Sequence, residues 1–180
     1  MKIFKILKIV SFCGLLSGCA IPAPEQQRVF VSGDQFSSTI DVEGVKGFEN
    51  PFGGTSKIWF IRSQIDKKTG ALSHQLYVTF GYRGDWRFYE RASDEDAKNL
   101  ETTMIDRNVV DCSGYSCSFD ETVGVEISNA NLKAHARNGY SIKIYSHSGD
   151  AEILKLSPFM IQKQFATIRQ TVAPYMKPKR

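Results

Sequence analysis

The stretch ALSHQLYVTFGY, residues 71 to 82, decides the fold class. Large or aromatic side chains fall on every second position, while the positions between them are mostly polar. The first set is Leu72, His74, Leu76, Val78, Phe80 and Tyr82, and the second is Ser73, Gln75, Tyr77 and Thr79. Because successive side chains of a strand point to opposite faces, this period of two predicts a β-strand with one buried face. Such one-sided strands are typical of antiparallel sheets.

The neighbouring segments predict three hairpins. KIWFIRSQI, residues 57 to 65, precedes the opening stretch across the turn DKKTG, whose glycine suits a short hairpin. DCSGYSC and HSGD mark two further turns, each flanked by segments rich in strand-forming residues. WRFYER predicts one more strand, and we expect loops or weak edge strands from residue 29 to 56. The inward side of residues 117 to 127 is predicted to be apolar, with Glu121 as the charged exception.

Two helices are predicted in the last third of the chain. Ser128 can cap a short helix over NANLKAHARN, which Gly139 would close in the left-handed conformation. Ser157 and Pro158 predict the start of a C-terminal helix. Its apolar stripe is expected to pack on the sheet and consists of Ile161, Phe165, Ile168 and Val172. The predicted fold is therefore α+β, with about six antiparallel strands, a short helix and a C-terminal amphipathic helix.

The N-terminus MKIFKILKIVSFCGLLSGCA indicates export. Three lysines precede an apolar run from residue 9 to 16, which is too short to remain as a membrane-spanning helix. LSGC, ending at Cys19, matches a lipobox, so these twenty residues resemble the precursors of bacterial lipoproteins. The resemblance implies cleavage before Cys19 and acylation of its thiol. The alternative is an ordinary secretory signal that happens to contain a cysteine.

Through elements such as DWRFYE, residues 85 to 90, the chain is also similar to small lipoproteins and secreted proteins of Gram-negative bacteria that have no assigned activity. In a Gram-negative source, Ala20 after the lipidated cysteine implies sorting to the outer membrane, facing the periplasm. We expect a signal peptide over residues 1–18 and a lipidated tether over 19–28, because AIPAPEQQR has two prolines and no aromatic residue. A single globular domain over 29–174 and a basic tail over 175–180 complete the predicted organisation.

The charge distribution argues against nucleic acid as a partner. The whole chain has 23 basic and 19 acidic residues and a formal charge of +4. Removing the leader with its three lysines leaves 20 basic residues and a charge of +1. The tail holds three more positive charges, so the globular part is slightly acidic. A nucleic-acid-binding domain normally has a concentrated basic surface instead.

The cysteines can be assigned once the lipoprotein resemblance is taken into account. Cys13 leaves with the leader and Cys19 receives lipid, so Cys112 and Cys117 remain. These two could form a disulfide, half of a zinc site or a redox pair. An even pair in an exported chain favours a disulfide, and four intervening residues differ from the C-x-x-C spacing of redox motifs. We expect a disulfide that closes the hairpin around SGYS.

No catalytic residue, metal site or cofactor is predicted. The three histidines, His74, His135 and His147, lack the spacing of a helical zinc motif, and no G-x-S-x-G elbow or Gly-rich phosphate loop occurs. His74, on an apolar strand face, is expected to be a core histidine. The acidic residues 94 to 96 lack the ligand spacing of an EF-hand.

A binding function is the leading hypothesis. Aromatic residues are dense between positions 77 and 89, and Tyr77 and Tyr89 would form an exposed patch if the second sheet face is uncovered. The alternative is ordinary packing on both faces. We expect a non-catalytic binding or structural lipoprotein whose partner is an envelope protein or cell-wall component. A periplasmic hydrolase, a metal-dependent enzyme and an inhibitor of a cell-wall-degrading enzyme are the alternatives.

Overall fold

The computed structural model describes residues 28–172. The predicted signal peptide, Cys19, the tether up to residue 27 and the basic tail lie outside the described residues. The described part contains eleven strands and two helices. The strands are β1 (Phe30–Ser32), β2 (Thr39–Glu43), β3 (Gly47–Glu49), β4 (Ser56–Asp66), β5 (Leu72–Gly84), β6 (Tyr89–Asp94), β7 (Asn99–Leu100), β8 (Thr102–Ser113), β9 (Ser116–Ile127), β10 (Tyr140–Ser146) and β11 (Ala151–Leu156), and the helices are α1 (Asn129–Ala134) and α2 (Pro158–Val172).

The strands form two antiparallel sheets. The large sheet has seven strands in the order β1-β2-β4-β5-β9-β8, with β3 also paired to β4. The small sheet has four strands in the order β11-β10-β6-β7. The predicted hairpins β4–β5, β8–β9 and β10–β11 are confirmed. The buried residues of β5 alternate as expected, from His74 to Tyr82.

The expectation of about six strands was too low, and it did not foresee two sheets. Strand β2 lies between β1 and β4 and buries Ile40 and Val42, although its surroundings are rich in Gly and Ser. Strand β6 pairs with β10, so it leaves the sheet to which β5 belongs. The period-two pattern reports which side chains are buried, but it does not report which strands are neighbours.

The large sheet buries its inner face under a second layer that has two parts. The small sheet covers the region of β5 and β9, and α2 covers β4 and β2. Leu76, Val78 and Phe80 of β5 therefore share one core with Ile142 and Ile144 of β10. Ile40, Val42, Ile65 and Ile168 form a smaller cluster under α2.

Both helices begin where the sequence predicts. The Ser128 hydroxyl accepts a hydrogen bond from the Asn131 N–H at 3.1 Å, and the Ser157 hydroxyl accepts one from the Met160 N–H at 3.3 Å. Helix α1 ends at Ala134 with His135 as its C-cap, so Gly139 closes the following turn and not the helix itself. Its φ of +85° places Gly139 in the left-handed region, which favours glycine.

A buried lysine connects the two sheets. The Lys57 Nζ on β4 lies 2.9 Å from Glu152 Oε2 on β11 and 3.0 Å from Glu49 Oε2 on β3. Burial lowers the pKa of Lys57, but the two carboxylates outweigh that effect and raise it. The ammonium group is therefore held in its charged form between the sheet edges.

Candidate functional site

The two cysteines that were predicted to pair form a disulfide. Cys112 and Cys117 are directly opposite on β8 and β9, with their Cα atoms 4.1 Å apart. The turn between them contains Gly114 at a φ of +69°. The bridge therefore closes the tip of an exposed hairpin, as the sequence indicated, and this prediction is confirmed.

The proposed aromatic pair Tyr77 and Tyr89 does not form one surface. Tyr89 has 0% exposure, its ring stacks on Phe80 with centroids 4.0 Å apart, and burial raises the pKa of its hydroxyl. The prediction for Tyr89 was wrong because residues 86 to 88 are not part of a strand. Phe88 has a φ of +55°, so the alternation expected from Trp86 onward is reversed and Tyr89 points into the core.

Tyr77 lies where the sequence placed it, on the outer face of the large sheet. Its half-buried ring stacks on Phe60 at 5.5 Å, and its hydroxyl accepts a hydrogen bond from Arg62 Nη1 at 2.8 Å. Phe48 of β3 and Ile58 of β4 are exposed nearby. They lie opposite each other, and Ile58 is two residues before Phe60. Tyr77 thus belongs to a mixed aromatic and aliphatic area without Tyr89.

A serine, a histidine and an asparagine form a buried chain of hydrogen bonds. Ser63 Oγ lies 2.7 Å from His74 Nδ1, and His74 Nε2 lies 3.3 Å from Asn129 Oδ1. The side chain of Gln164 donates to Ser63 Oγ at 2.8 Å. Burial lowers the pKa of His74, and Lys133 lowers it further, against the opposing bond to Asn129. His74 is therefore a neutral core histidine.

This series of hydrogen bonds resembles a nucleophilic serine with its histidine base, but the hydroxyl of Ser63 is inaccessible. Ser63 has 0% exposure and His74 has 1%, so a substrate cannot reach the hydroxyl oxygen in this conformation. The bonds instead connect β4 and β5 to α1 and α2. Gln164 of α2 also donates to the Val42 carbonyl at 2.9 Å, which fixes the helix over β2.

A pocket of about 770 Å³ lies under the helices, and we call it the helix-side pocket. It lies between α2, α1 with its following turn, and the tip of the β4–β5 hairpin. The apolar residues that line it are Ile65, Leu72, Ala136, Phe165 and Ile168. The side chain of Gln162 donates to the Ala136 carbonyl at 2.9 Å and so fixes one wall.

The charged residues of the helix-side pocket are all basic. Lys133 of α1 and Arg169 of α2 line it, and both side chains are exposed. Within residues 28–172 neither forms an ion pair. Asn129 and Gln162 supply further polar groups. An apolar interior with basic groups at its border can hold an apolar chain that ends in a negative group.

Two of the three histidines pair with glutamates in the described part of the chain. No group of three or more His, Cys, Asp or Glu side chains is arranged there to hold a metal ion. His135 pairs with Glu95 at 3.0 Å, and His147 pairs with Glu90 at 3.3 Å. Between residues 28 and 172, no helix has the length and hydropathy needed to cross a membrane.

Sequence reasoning found the apolar stripe of α2 but not the pocket. Phe165 and Ile168 were expected to pack on the sheet, and Ile168 does so at 6% exposure. The short helix α1 stops after six residues, so the space between it and α2 is left unfilled. The basic residues Lys133 and Arg169 lie on two separate helices, so no single sequence pattern brings them together.

No protein-family model, curated protein or solved structure matches this chain. The function is therefore inferred from the residues and the geometry of their sites.

Proposed function

We propose that this protein is a membrane-anchored lipoprotein of the cell envelope with a non-catalytic binding role. Its ligand would be an anionic amphiphile whose apolar chain occupies the helix-side pocket. The observation that supports this proposal is the combination of an apolar pocket of about 770 Å³ with Lys133 and Arg169 as its charged residues.

The apolar chain would supply most of the affinity. Each methylene group transferred from water contributes about 0.8 kcal/mol, whereas ion pairs with exposed side chains contribute roughly 0–1 kcal/mol. Lys133 and Arg169 therefore orient the negative end at the border of the pocket. The volume falls within the range of roughly 300–1,000 Å³ that is usual for ligand pockets.

The anchor forms the second part of the proposal. Acylation at Cys19 would leave residues 20–27 as the segment between the lipid and the described domain. Eight extended residues span at most about 29 Å, so the domain would stay near the bilayer, where amphiphiles are concentrated. In a Gram-negative source this bilayer would be the outer membrane.

A hydrolase is the second candidate, since Ser63, His74 and Asn129 are hydrogen-bonded in series. The complete burial of Ser63 favours the binding role instead. A Ser63→Ala variant that abolishes ester hydrolysis by the purified protein would support the hydrolase and contradict the non-catalytic proposal.

The binding proposal can be tested by titrating the mature chain from residue 20 onward with a fluorescent fatty acid. Ala136→Trp fills the pocket and is expected to weaken binding at least about tenfold, because a pocket that already holds a side chain excludes the ligand chain. A combined Lys133→Gln and Arg169→Gln variant should weaken binding of the acid more than binding of the corresponding alcohol.

Lys163→Gln is the matched control, since Lys163 is exposed on α2 and does not line the pocket. It should bind the fatty acid as the unmodified chain does. Thermal melting of each variant would verify the fold. Unchanged binding in a folded Ala136→Trp variant would show that the helix-side pocket is not the ligand site.

A further inference from the structure

A second, polar cleft lies at the opposite end of β5. It has a volume of about 360 Å³ and is bordered by the last residues of β5, the first residues of β9 and the loop from residue 50 to 54. The charged residues that line it are Arg83, Arg87 and Asp120. We call it the arginine cleft.

Arg87 is held in place by several groups. Its guanidinium carbon lies 4.6 Å from the centroid of the Tyr82 ring, and Nη1 donates to Thr55 Oγ1 at 2.6 Å and to the Tyr89 hydroxyl at 3.2 Å. Nε lies 3.5 Å from Asp150 Oδ2. Within residues 28–172, Nη2 has no hydrogen-bond partner. The guanidinium is therefore held in place by its other nitrogens.

The backbone that holds Arg87 is strained and is fixed by a buried carboxylate. Phe88 has a φ of +55°, which is unfavourable for a bulky residue. Its N–H donates to Glu121 Oε1 at 2.9 Å, and the Arg87 N–H donates to the Tyr82 hydroxyl at 3.1 Å. Tyr82 in turn donates to Glu121, which has 0% exposure. Strain of this kind is concentrated at functional sites, where it positions a group in advance.

The other two charged groups leave atoms free for a ligand. Arg83 is exposed, and its Nε donates to Ser118 Oγ at 3.1 Å. In the described part of the chain, the Asp120 carboxylate accepts no hydrogen bond and forms no ion pair. Two guanidinium groups and one carboxylate line the cleft. Because Asp150 Oδ2 already lies 3.5 Å from Arg87 Nε, Arg83 is the arginine of the lining without an ion pair within residues 28–172.

A glycine keeps the cleft open. A Cβ atom at Gly81 would lie 2.5 Å from Ser56 Oγ and 3.0 Å from Asp120 Oδ1. Any side chain at this position would therefore occupy the space between Ser56 of β4 and Asp120 of β9. The φ of Gly81 is not in the left-handed region, so the position requires glycine for space and not for conformation.

We propose that the arginine cleft binds an acidic saccharide, with Arg83 and Arg87 holding the carboxylate and Asp120 accepting hydrogen bonds from neighbouring hydroxyl groups. Guanidinium groups bind carboxylates through paired N–H donors. A phosphate group, with a charge near −2, would be repelled by Asp120, whereas a sugar carboxylate has one negative charge beside several hydroxyl donors. This site is separate from the helix-side pocket, and it does not depend on the amphiphile proposal.

The proposal can be tested on the mature lipoprotein in a nonionic detergent, by following its NMR chemical shifts during titration. The probes are glucuronate, glucose and inorganic phosphate. Saturable glucuronate binding is expected. Glucose and phosphate should bind at least about tenfold more weakly, since glucose has no carboxylate and phosphate has no sugar hydroxyl groups. Arg83→Gln and Gly81→Ala should each weaken glucuronate binding at least about tenfold without a change of fold.

Arg91→Gln is the matched control, because Arg91 is an exposed arginine on β6 that does not line the cleft. It should leave glucuronate binding unchanged. Absence of saturable glucuronate binding would overturn the proposal. Phosphate or glucose binding as tight as that of glucuronate would also overturn it, as would equal losses in Arg83→Gln and Arg91→Gln.

Discussion

Glu121 is a fully buried residue that interrupts the apolar inward face of β9. Its carboxylate accepts hydrogen bonds from the Phe88 N–H at 2.9 Å and from Arg107 Nε at 2.9 Å, as well as from Tyr82. A charge removed from water needs such partners, because an unpaired buried charge is very unfavourable. Glu121 thereby joins β5, β8 and β9 to the loop that contains Arg87.

Replacing Glu121 with glutamine should destabilise the protein. The amide keeps the size of the side chain but leaves Arg107 without a negative partner, so we expect a loss of roughly 2–3 kcal/mol in the free energy of unfolding. Urea denaturation measures this loss. Glu101→Gln, at an exposed glutamate, is the control and should change the value by less than about 0.5 kcal/mol. Equal effects of the two substitutions would show that the buried network is not important.

His74 should make stability depend on pH. Its pKa in the folded protein lies below the ordinary value of 6.5, chiefly because of burial. As the pH falls below 6.5, the unfolded chain binds a proton that the folded protein does not, so the free energy of unfolding decreases. The stabilising contribution is present above 6.5 and is lost on acidification.

Denaturant midpoints measured about one pH unit above and below 6.5 test this prediction. The difference between the two midpoints should be smaller in His74→Gln than in the unmodified protein. His147→Gln, which changes an exposed histidine, should retain the full difference. A His74→Gln variant with the original pH dependence would contradict the assignment.

Residue-level prediction succeeded where a side chain lies inside a regular strand. The burial of His74 and the outward position of Tyr77 follow from the alternation of β5, and the structure confirms both. Tyr89 could not be placed correctly, because the positive φ of Phe88 reverses the alternation and no local signal announces it. The partners of Glu121 come from three separate segments, so its network is also hidden in the sequence.

At the scale of elements, the hairpins were predictable and their arrangement was not. Each hairpin joins segments that are adjacent in the chain, and turn residues such as Gly70 and Gly114 mark its centre. The pairing of β6 with β10 joins segments about 50 residues apart, which periodicity cannot reveal. The helix-side pocket could not be predicted for the same reason, since its walls come from α1, α2 and the β4–β5 hairpin.

The disulfide should make a moderate contribution to stability. The ring closed by Cys112 and Cys117 is small, so restriction of the unfolded chain predicts a contribution of about 2 kcal/mol. A Cys112→Ser and Cys117→Ser double variant should therefore remain folded, with a lower denaturation midpoint. Because the bridge lies at an exposed hairpin tip, ligand binding in the helix-side pocket should not change. Two free thiols in the exported protein, detected by mass spectrometry, would contradict the structural role of the bridge.

At the scale of the whole molecule, the two proposed binding sites lie at opposite ends of β5. The helix-side pocket is apolar and bordered by basic groups, whereas the arginine cleft contains two arginines and an aspartate. The proposed anchor at Cys19 would add a third point of attachment, to the bilayer. A protein with these features would hold an amphiphile and a saccharide close to the same membrane.

Cys19→Ser should release the protein from the membrane. Without the thiol there is no site for the lipid, so the variant is expected in the soluble fraction with its leader uncleaved by the lipoprotein peptidase. Cell fractionation and mass spectrometry measure both effects. Cys13→Ser changes the cysteine inside the leader and should leave anchoring intact. A Cys19→Ser variant that still floats with membranes would show that the anchor lies elsewhere.

The helix-side pocket and the arginine cleft should differ in how far they can change shape, because one lies under a helix and the other beside paired strands. Within residues 28–172, no backbone hydrogen bond connects α2 to either sheet, and the helix is held by side-chain contacts alone. We therefore expect that a bound chain can displace it slightly against β2 and β4 while every strand pairing persists. The arginine cleft is bordered by the paired strands β5 and β9 and by the loop from residue 50 to 54, so strand pairing holds two of its sides. An elastic site tolerates chains of different length, whereas a stiff one selects a single head-group shape.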